Sequence, residues 1–222
     1  MSADSREVKL DGSGKHSPGH NHQLLILISA PSGGGKTTLQ QELLKARPEI
    51  ARAVTCTTRE PREGEHDGGD YFFLDAGSFL KRVQAGNFLE HATVYGHSYG
   101  ILKSEVLGKL RSGKDVLLSV DVQGAATIRQ RAEEDPELKR ALVTVFLTPD
   151  SIGTLEKRLR KRGKDSPAAI RKRLSVARQE ISQWKNFDYL IISGSISDDL
   201  RHMISIHEAE KMRPARAVPP EF

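Results

Sequence analysis

The stretch LLILISAPSGGGKTTLQQELL, from Leu24 to Leu44, determines most of what the sequence says about the fold. It begins with a continuous apolar run, which is typical of a buried strand, and it ends with leucines at helical spacing. A glycine-rich loop between strand and helix turns backbone N–H groups and the positive end of the helix dipole toward an anion. The predicted phosphate-binding loop consists of Ala30, Pro31, Ser32, Gly33, Gly34, Gly35, Lys36, Thr37 and Thr38.

Two side chains of this loop carry the expected chemistry. Lys36 is expected to reach the β- and γ-phosphates of a nucleoside triphosphate, and the Thr37 hydroxyl to ligate Mg²⁺. The usual pattern begins with glycine, where this chain has Ala30. The alternative is an ordinary strand–turn–helix with a surface lysine, but strand, glycines, Lys-Thr pair and helix all occur in the required order. The stretch therefore predicts ATP or GTP binding and leaves the reaction open.

Length and composition restrict the class of protein. The chain has 222 residues, which suits one α/β domain. Its formal net charge of +5 permits nucleic acid, an acidic membrane or phosphorylated small molecules as partners. Cys56 is the only cysteine, which excludes an internal disulfide and a zinc site built on cysteines. Because no apolar run is long enough for a membrane span and no signal-peptide core precedes Leu24, we expect a cytoplasmic protein without a membrane partner.

Strand patterns alternate with helical patterns along the chain, which predicts a parallel sheet with crossover helices. The predicted strands are LLILISA, RAVTCTT, DYFFL, FLEHATVY, DVLLSVD, LVTVFL and DYLIIS. The predicted helices are Thr37–Lys45, Ala76–Gln84, Lys103–Leu110, Gly124–Ala132, Ser151–Arg160, Pro167–Trp184 and Asp198–Met212. The strands between residues 70 and 100 lie closer together and are more polar, which indicates a small inserted subdomain with a partly exposed sheet.

The stretch TTREPREGEHDGGDYFF, from Thr57 to Phe73, predicts a second anion site. Arg59 and Arg62 can make forked hydrogen bonds to a phosphate. Tyr71 and the more distant Tyr99 can add hydroxyl donors. A phosphotransferase needs an acceptor, and the phosphate of a nucleoside monophosphate is a dianion of the right kind. The alternative is a solvated loop whose arginines face water.

Together these motifs resemble the guanylate kinase family, whose members transfer a phosphoryl group from ATP to GMP. The matching stretches, in the family's order, are SAPSGGGKTTL, TTREPREGEHDGGDYFF, FLEHATVYGHSYG, VDVQGA and RLRKRGKDSPAAIRKRL. The segment around Arg59 and Arg62 is more specific than the phosphate loop, because it distinguishes this family from other P-loop kinases. The resemblance implies an α/β, P-loop three-layer fold with a parallel sheet core, a small inserted GMP-binding subdomain and a helical lid.

The resemblance also implies roles for single residues on the acceptor side. The GMP ligands that it implies are Thr55, Arg59, Arg62, Tyr71, Glu90, Tyr99 and Asp121. Glu90 matches the acid that recognises guanine, and a carboxylate accepts from the N1–H and N2–H₂ donors that adenine lacks. Asp121 is expected to hold Mg²⁺ through water as well. Its simpler role is the N-cap of the helix that follows, and both roles are compatible.

A basic segment near residue 160 is expected to form a lid over the phosphates. It has no interleaved aromatic residues, which argues against a base-stacking surface for nucleic acid. Arg158 and Arg162 lie four residues apart on one helix face, and Arg173 lies on a helix that is expected to begin after Ser166. Fixed arginines stabilise the charge that develops during phosphoryl transfer. The catalytic residues that the resemblance implies are Lys36, Arg158, Arg162 and Arg173.

Three residues depart from the family's pattern. Ile101 replaces a hydroxyl that helps to recognise guanine, and Ser119 replaces a common acid. Ser193 stands where an asparagine usually lies beside adenine. Ile101 leaves open a P-loop kinase with another small phosphorylated acceptor. A kinase-shaped binding module is a third possibility, although such a module has no need for Lys36 or the lid arginines.

The resemblance implies an ATP:GMP phosphotransferase of purine nucleotide metabolism and GMP recycling, with Mg²⁺ as cofactor and GMP and dGMP as acceptors. We expect a flexible tail at 1–23, a guanylate-kinase-like domain at 24–208 and a C-terminal tail at 209–222. Within the domain we expect a core at 24–55 and 102–208, a GMP-binding insert at about 56–101 and a lid at about 157–173. Monomer and homo-oligomer both remain open, and no nucleic-acid partner is expected.

Overall fold

The computed structural model describes residues 22–161, 163 and 166–217. Apart from His22 and Gln23, the expected N-terminal tail lies outside these residues. The described residues form one parallel sheet covered by helices on both faces and a second, smaller sheet beside it. Among them, no helix is long and apolar enough to cross a membrane.

The larger sheet is the core of the molecule. In spatial order it contains β2 (Ile50–Arg52), β7 (Asp115–Val120), β1 (Leu25–Ser29), β8 (Leu142–Pro149) and β9 (Tyr189–Ser193). Every neighbouring pair is parallel. All residues of the central β1 are buried, which explains why its sequence is a continuous apolar run rather than an alternating one. The predicted α/β fold with a parallel sheet core is confirmed.

Helices cover both faces of this sheet. They are α1 (Lys36–Ala46), α3 (Lys103–Arg111), α4 (Val122–Glu133), α5 (Pro136–Ala141) and α8 (Ile196–Lys211). One hydrophobic cluster contains Leu39 of α1 and Met203 of α8, while a separate cluster contains Val106 of α3 and Ile128 of α4. The sheet therefore forms the middle of three layers.

The smaller sheet holds most of the predicted acceptor residues. Its spatial order is β4 (Tyr71–Phe73), β3 (Thr55–Thr57), β6 (His97–Leu102) and β5 (Phe88–Val94). Helix α2 (Ala76–Gln84) packs on it through Phe79, whose ring stacks on that of Phe88 at 4.5 Å between centroids. The β5–β6 pairing contains a bulge between Phe88 and Glu90, so both Phe88 and Leu89 are buried before the chain turns Glu90 to another side.

Two further helices form the region of the predicted lid. They are α6 (Ile152–Lys161) and α7 (Pro167–Ser182), and a 3₁₀ turn follows at Gln183–Asn186. The two helices pack together through a small cluster that includes Leu159 and Ile170. Ser166 caps α7 by accepting the Ala169 N–H, and Pro167 occupies its first turn, as the sequence predicts.

Some sequence predictions about elements are wrong. RAVTCTT is not one strand: it divides into β2 and β3, which belong to different sheets, because the Ala53 N–H turns to the Leu117 carbonyl. Strand β6 and helix α5 were not predicted. The C-terminal tail expected from 209 is packed as far as the described chain extends, since α8 continues to Lys211 and the buried Arg216 binds the Glu210 carboxylate and the Leu142 carbonyl.

Candidate functional site

The candidate site lies at the carboxyl ends of the parallel strands. The phosphate-binding loop follows β1, Asp121 follows β7, and Ser193 ends β9. In open sheets of this type, the crevice outside the carboxyl ends of the strands is where ligands bind. A cavity of about 450 Å³ opens here, and its lining residues include Gly33, Gly35 and Thr38.

The loop requires its glycines for two physical reasons. Gly33 and Gly35 have φ angles of 90° and 103°, in the left-handed region that side chains disfavour. At Gly34 the limit is space, because a Cβ there would lie 3.0 Å from the Pro31 carbonyl oxygen. That same oxygen accepts the Gly34 N–H at 2.8 Å, which closes the turn. The predicted loop geometry is therefore present, and Ala30 is buried beneath it.

Lys36 lies inside the site rather than on the surface. Its Nζ donates a hydrogen bond of 2.7 Å to the Val120 carbonyl at the end of β7. Burial lowers the pKa of Lys36, while the negative charges of Asp121 and Glu180 oppose that effect. A half-buried lysine between the loop and the next strand is unlike the surface lysine of the alternative interpretation.

Asp121 and Thr37 place oxygen atoms near the loop. Asp121 is the N-cap of α4, where its Oδ1 accepts the Gly124 N–H at 2.8 Å, so the simpler role assigned to it is present. Among the described residues, none forms a hydrogen bond with the Thr37 hydroxyl, which is exposed at the first turn of α1. Hydroxyl and carboxylate oxygens are the hard ligands that Mg²⁺ prefers, so this donor set fits that ion.

Glu90 carries a half-buried carboxyl group close to Asp121. Burial and, to a smaller extent, the charge of Asp121 raise the pKa of Glu90 to about 7, and the charge of Arg131 opposes both. The Glu90 side chain also packs against α4: a Cβ added to Gly124 would lie 3.3 Å from the Glu90 carboxyl carbon. A carboxyl held at such a pKa by its surroundings is a candidate binding group rather than a solvated surface acid.

Arg59 is the centre of a second group on the smaller sheet. Its Nη2 donates to both oxygens of the Glu65 carboxylate at 2.9 Å, and this bond is the main reason that the pKa of Arg59 is raised. Its guanidinium lies 5.4 Å from the centroid of the Tyr71 ring. Tyr71 contacts Tyr99 edge-on at 6.3 Å between centroids. The structure therefore brings three of the predicted phosphate ligands together.

The other two predicted acceptor residues lie beside this group. Thr55 is half-buried in β3, where it pairs with Tyr71 of β4. Arg62 is exposed, and its backbone N–H donates to Glu65 at 2.8 Å. Within the described part of the chain no residue bonds its guanidinium. Glu65 thus organises both arginines of the predicted pair.

Both described lid arginines already contact the phosphate loop. Arg158 Nη1 donates to the Gly34 carbonyl at 3.3 Å, and Arg173 Nη1 donates to the Ser32 hydroxyl at 3.0 Å. Arg162 lies outside the described residues. The structure therefore places Arg158 and Arg173 with Lys36 at one loop, although they come from three helices.

Sequence reasoning missed two acids of this region. The Glu180 carboxylate accepts the Ser32 N–H at 3.4 Å, and burial raises its pKa. A signal was available, because Glu180 lies seven residues after Arg173 and so on the same face of α7. Asp199 is buried behind Ser193, and nothing in the sequence distinguishes it from its exposed neighbour Asp198.

The residues that depart from the family's pattern have different environments. Ile101 is only 4% exposed and belongs to the core cluster with Leu89 and Val106, so it removes a hydroxyl without placing an apolar surface in the site. Ser193 is buried in the cavity wall. Ser119 is half-buried in β7, where it pairs with Ile28 of β1.

Comparisons with known proteins agree with this arrangement. The Guanylate kinase family model matches residues 22–210, which is most of the chain. The chain belongs to the guanylate kinase family. The guanylate kinase of Coxiella burnetii is 43% identical over 193 residues, covering 87% of this chain and 90% of that protein.

Further guanylate kinases support the assignment in both sequence and structure. The guanylate kinase of Maricaulis maris is 38% identical over 198 residues, covering 89% of this chain and 88% of its own. A crystal structure of guanylate kinase from Anaplasma phagocytophilum superposes with a TM-score of 0.67 at 29% identity, covering 89% of this chain and 90% of that one. The chain is accordingly a nucleoside monophosphate kinase by family.

Proposed function

We propose that this chain transfers the γ-phosphoryl group of ATP to the phosphate of GMP, giving ADP and GDP, in purine nucleotide metabolism and GMP recycling. The observation that carries the proposal is the position of Glu90. The Glu90 carboxyl is close enough to Asp121 for that charge to raise the pKa of Glu90, and Asp121 directly follows the strand whose last carbonyl accepts from Lys36. The Glu90 carboxyl, which suits the donors of guanine, thus lies close to Asp121, which together with Lys36 suits a triphosphate and its metal ion.

The donor side of the proposal rests on the phosphate-binding loop. Loop N–H groups and the N-terminus of α1 bind the phosphates of ATP, and Lys36 adds a positive charge. Lys36 donates a hydrogen bond to the Val120 carbonyl, which holds its ammonium group at the loop. A phosphate oxygen can replace this carbonyl as the acceptor. Cavity-lining residues such as Thr38 and Gly194 leave room for the nucleoside.

The acceptor side rests on the cluster around Arg59. We assign the GMP phosphate to Arg59, Arg62, Tyr71 and Tyr99. Arg59 donates from Nη2 to both oxygens of the Glu65 carboxylate, and this ion pair orients its guanidinium. Guanine is assigned to Glu90, with Thr55 and Asp121 as further polar contacts. Because none of these groups is assigned to the ribose 2′-hydroxyl, dGMP is expected to be a second acceptor.

The chemistry of the proposed reaction needs no protein nucleophile. An oxygen of the GMP phosphate attacks the γ-phosphorus of ATP, and the bond from that phosphorus to the β–γ bridging oxygen breaks to release ADP. Lys36, Arg158 and Arg173 stabilise the charge on the transferred group, and Arg162 is assigned the same role. Closure of the lid excludes water, which would otherwise accept the phosphoryl group.

Mg²⁺ is proposed as the cofactor of the donor. The Thr37 hydroxyl would ligate it directly and the Asp121 carboxylate through water, since Asp121 uses only Oδ1 to cap α4. When bound, the ion neutralises phosphate charge on the nucleotide. We also propose the division into core, insert (about 56–101) and lid (about 157–173), and a cytoplasmic location.

Product analysis tests the function. The protein is incubated with MgATP and GMP, and nucleotides are separated by anion exchange. The proposal predicts ADP and GDP in equal amounts and neither product in the presence of excess EDTA. ADP without GDP would mean ATP hydrolysis instead of transfer, and that result would overturn the assignment of the acceptor.

A further inference from the structure

Three side chains form a continuous hydrogen-bonded chain in the wall of the donor cavity. Arg158 comes from α6, Ser193 from the end of β9 and Asp199 from the first turn of α8. All three line the cavity of about 450 Å³ beside the phosphate loop. The chain therefore connects a residue that touches the loop with a buried acid that does not.

Ser193 is the link between the other two residues, and its hydroxyl is fully used. Its Oγ donates to Asp199 Oδ2 at 2.7 Å and accepts from both Nη1 and Nη2 of Arg158 at 3.1 Å. A serine hydroxyl has one donor hydrogen and two acceptor lone pairs, so no capacity remains. Arg158 Nη2 also donates to the Ser193 carbonyl at 3.4 Å, which fixes the guanidinium on both the side chain and the backbone of this residue.

Asp199 closes the chain at its buried end. Asp199 is only 4% exposed, and its Oδ1 accepts the Gly194 N–H at 3.2 Å. Its position in the first turn of α8 places the carboxylate at the positive end of the helix dipole. Because a buried charge without partners is costly, these contacts together with Arg158 explain how the carboxylate is accommodated.

At its other end the chain reaches the phosphate loop. Arg158 Nη1 donates to the Gly34 carbonyl at 3.3 Å and lies 3.9 Å from the place where a Cβ of Gly35 would be. The guanidinium is thus held over the glycines of the loop by hydrogen bonds to the protein's own groups. A cation fixed in advance at the site where charge develops is more effective than one that must be ordered during the reaction.

We propose that Asp199 is a positioning residue that acts through Ser193 to hold the Arg158 guanidinium against the phosphate loop. This inference rests on the proposed function, in which Arg158 stabilises the transferred phosphoryl group. It has a second consequence: because the Ser193 hydroxyl is saturated by Arg158 and Asp199, it is a structural link and does not bind the base of the donor nucleotide.

A double-mutant cycle tests the proposal. Asp199→Asn is measured in the wild-type and the Arg158→Ala backgrounds, with Asp198→Asn as the matched control. Asp198 lies in the same helical turn, but its carboxylate is 52% exposed and pairs with Arg201. Thermal unfolding of each variant shows whether it is folded at the assay temperature. Ser193→Ala provides an independent break of the same chain.

The expected results separate positioning from a general structural role. In the wild-type background, Asp199→Asn and Ser193→Ala each lower kcat/KM for ATP by about 10- to 100-fold, because each disturbs charge-assisted hydrogen bonds to Arg158. In the Arg158→Ala background the same changes have less than about a threefold effect. Asp198→Asn has no effect in either background. Equal losses in both backgrounds, or no loss from Asp199→Asn, would overturn the proposal.

A binding measurement keeps this test independent of the acceptor. The affinity for the non-hydrolysable analogue β,γ-imido-ATP is measured by calorimetry without GMP. Asp199→Asn is expected to weaken analogue binding only where Arg158 is present. If the wild-type protein fails to phosphorylate GMP while this binding pattern holds, the proposed function fails and the positioning role stands. If this binding pattern is absent in a protein that phosphorylates GMP, the positioning role fails and the proposed function stands.

Discussion

Replacing Glu90 by glutamine should raise the stability of the folded protein and lower its activity. A pKa raised from 4.5 to about 7 means that the folded protein disfavours the ionised carboxyl. At about 1.4 kcal/mol for each unit of pKa, the upper bound of this effect is about 3 to 4 kcal/mol. Glu90 keeps some contact with water, which screens the charge, so we expect about 1 to 2 kcal/mol.

The sign of the effect follows from linkage. Glu90 is neutral in both the folded and the unfolded states well below pH 4.5, and the wild-type protein should then match Glu90→Gln in free energy of unfolding. Between about pH 4.5 and about 7 the unfolded state has lost its proton while the folded state keeps its own, so the free energy of unfolding of the wild-type protein falls across this range and levels off above it. At pH 8 the free energy of unfolding of the wild-type protein should therefore be about 1 to 2 kcal/mol lower than that of Glu90→Gln, which stays neutral.

Urea denaturation between pH 5 and pH 8 measures this difference. A gain of this size corresponds to a melting temperature about 2 to 8 °C higher for Glu90→Gln at pH 8. Glu134→Gln is the matched control, because Glu134 is an exposed carboxyl at the end of α4 and its substitution should change stability little at any pH. A Glu90→Gln difference that does not change with pH, or a loss of stability at pH 8, would contradict a raised pKa of Glu90 in the folded protein.

The same variant should lose recognition of the acceptor. A glutamine presents an N–H₂ donor to the donors of guanine and lacks the negative charge that strengthens both hydrogen bonds. We expect kcat/KM for GMP to fall between about 10²- and 10⁴-fold while KM for ATP changes less than about threefold. Equal effects on the two nucleotides, measured by initial rates with each substrate varied in turn, would contradict the assignment of Glu90.

Three further substitutions test separate parts of the site. Lys36→Met should lower kcat by at least about 10²-fold while calorimetry still detects GMP binding, and retained turnover would remove Lys36 from the mechanism. Arg62→Ala should weaken the binding of GMP by about 10- to 100-fold and the binding of ATP little; equal losses of affinity in calorimetry would contradict Arg62 as a ligand of the GMP phosphate. Gly124→Ala should displace Glu90 and raise KM for GMP at least about threefold, whereas Gly108→Ala, a helical glycine with open space around it, should not change KM.

Local sequence patterns were sufficient for the elements that depend on local physics. The phosphate loop was predictable because glycines with positive φ, a buried strand and a helix start all occur within one short stretch. Helix α2 has the predicted bounds Ala76–Gln84, and its N-cap Asp75 accepts the Ser78 N–H. In both cases neighbouring residues in sequence supply the contacts that decide the conformation.

Elements that depend on distant partners could not be predicted in the same way. RAVTCTT has the apolar, β-branched composition of one strand, but only tertiary contacts determine that its two halves pair in different sheets. Strand β6 follows a turn at Tyr95–Gly96 and is too polar to give a clear alternating pattern. Arg216 belongs to a proline-containing segment that looks disordered in composition, yet the buried Glu210 carboxylate holds it.

The candidate site shows the same division. Lys36, Asp121, Glu90 and Arg59 belong to motifs, so the sequence could propose them. The hydrogen bonds from Arg59 to the Glu65 carboxylate and the chain from Arg158 to Asp199 join residues by side-chain geometry that no sequence spacing encodes. Motifs therefore indicated which chemical groups are present, whereas the structure indicates which groups hold them in place.

A coupled assay of ADP release, with MgATP and GMP, dGMP, AMP, CMP or UMP as acceptor, measures directly which nucleotide this kinase phosphorylates. Turnover is expected with GMP and dGMP alone, because among these acceptors only guanine offers both donors to the Glu90 carboxylate. A different acceptor with comparable kcat/KM would contradict the assignment of Glu90 and give weight to the change at Ile101. A protein that binds GMP and turns over none of the five would be a binding module rather than a kinase.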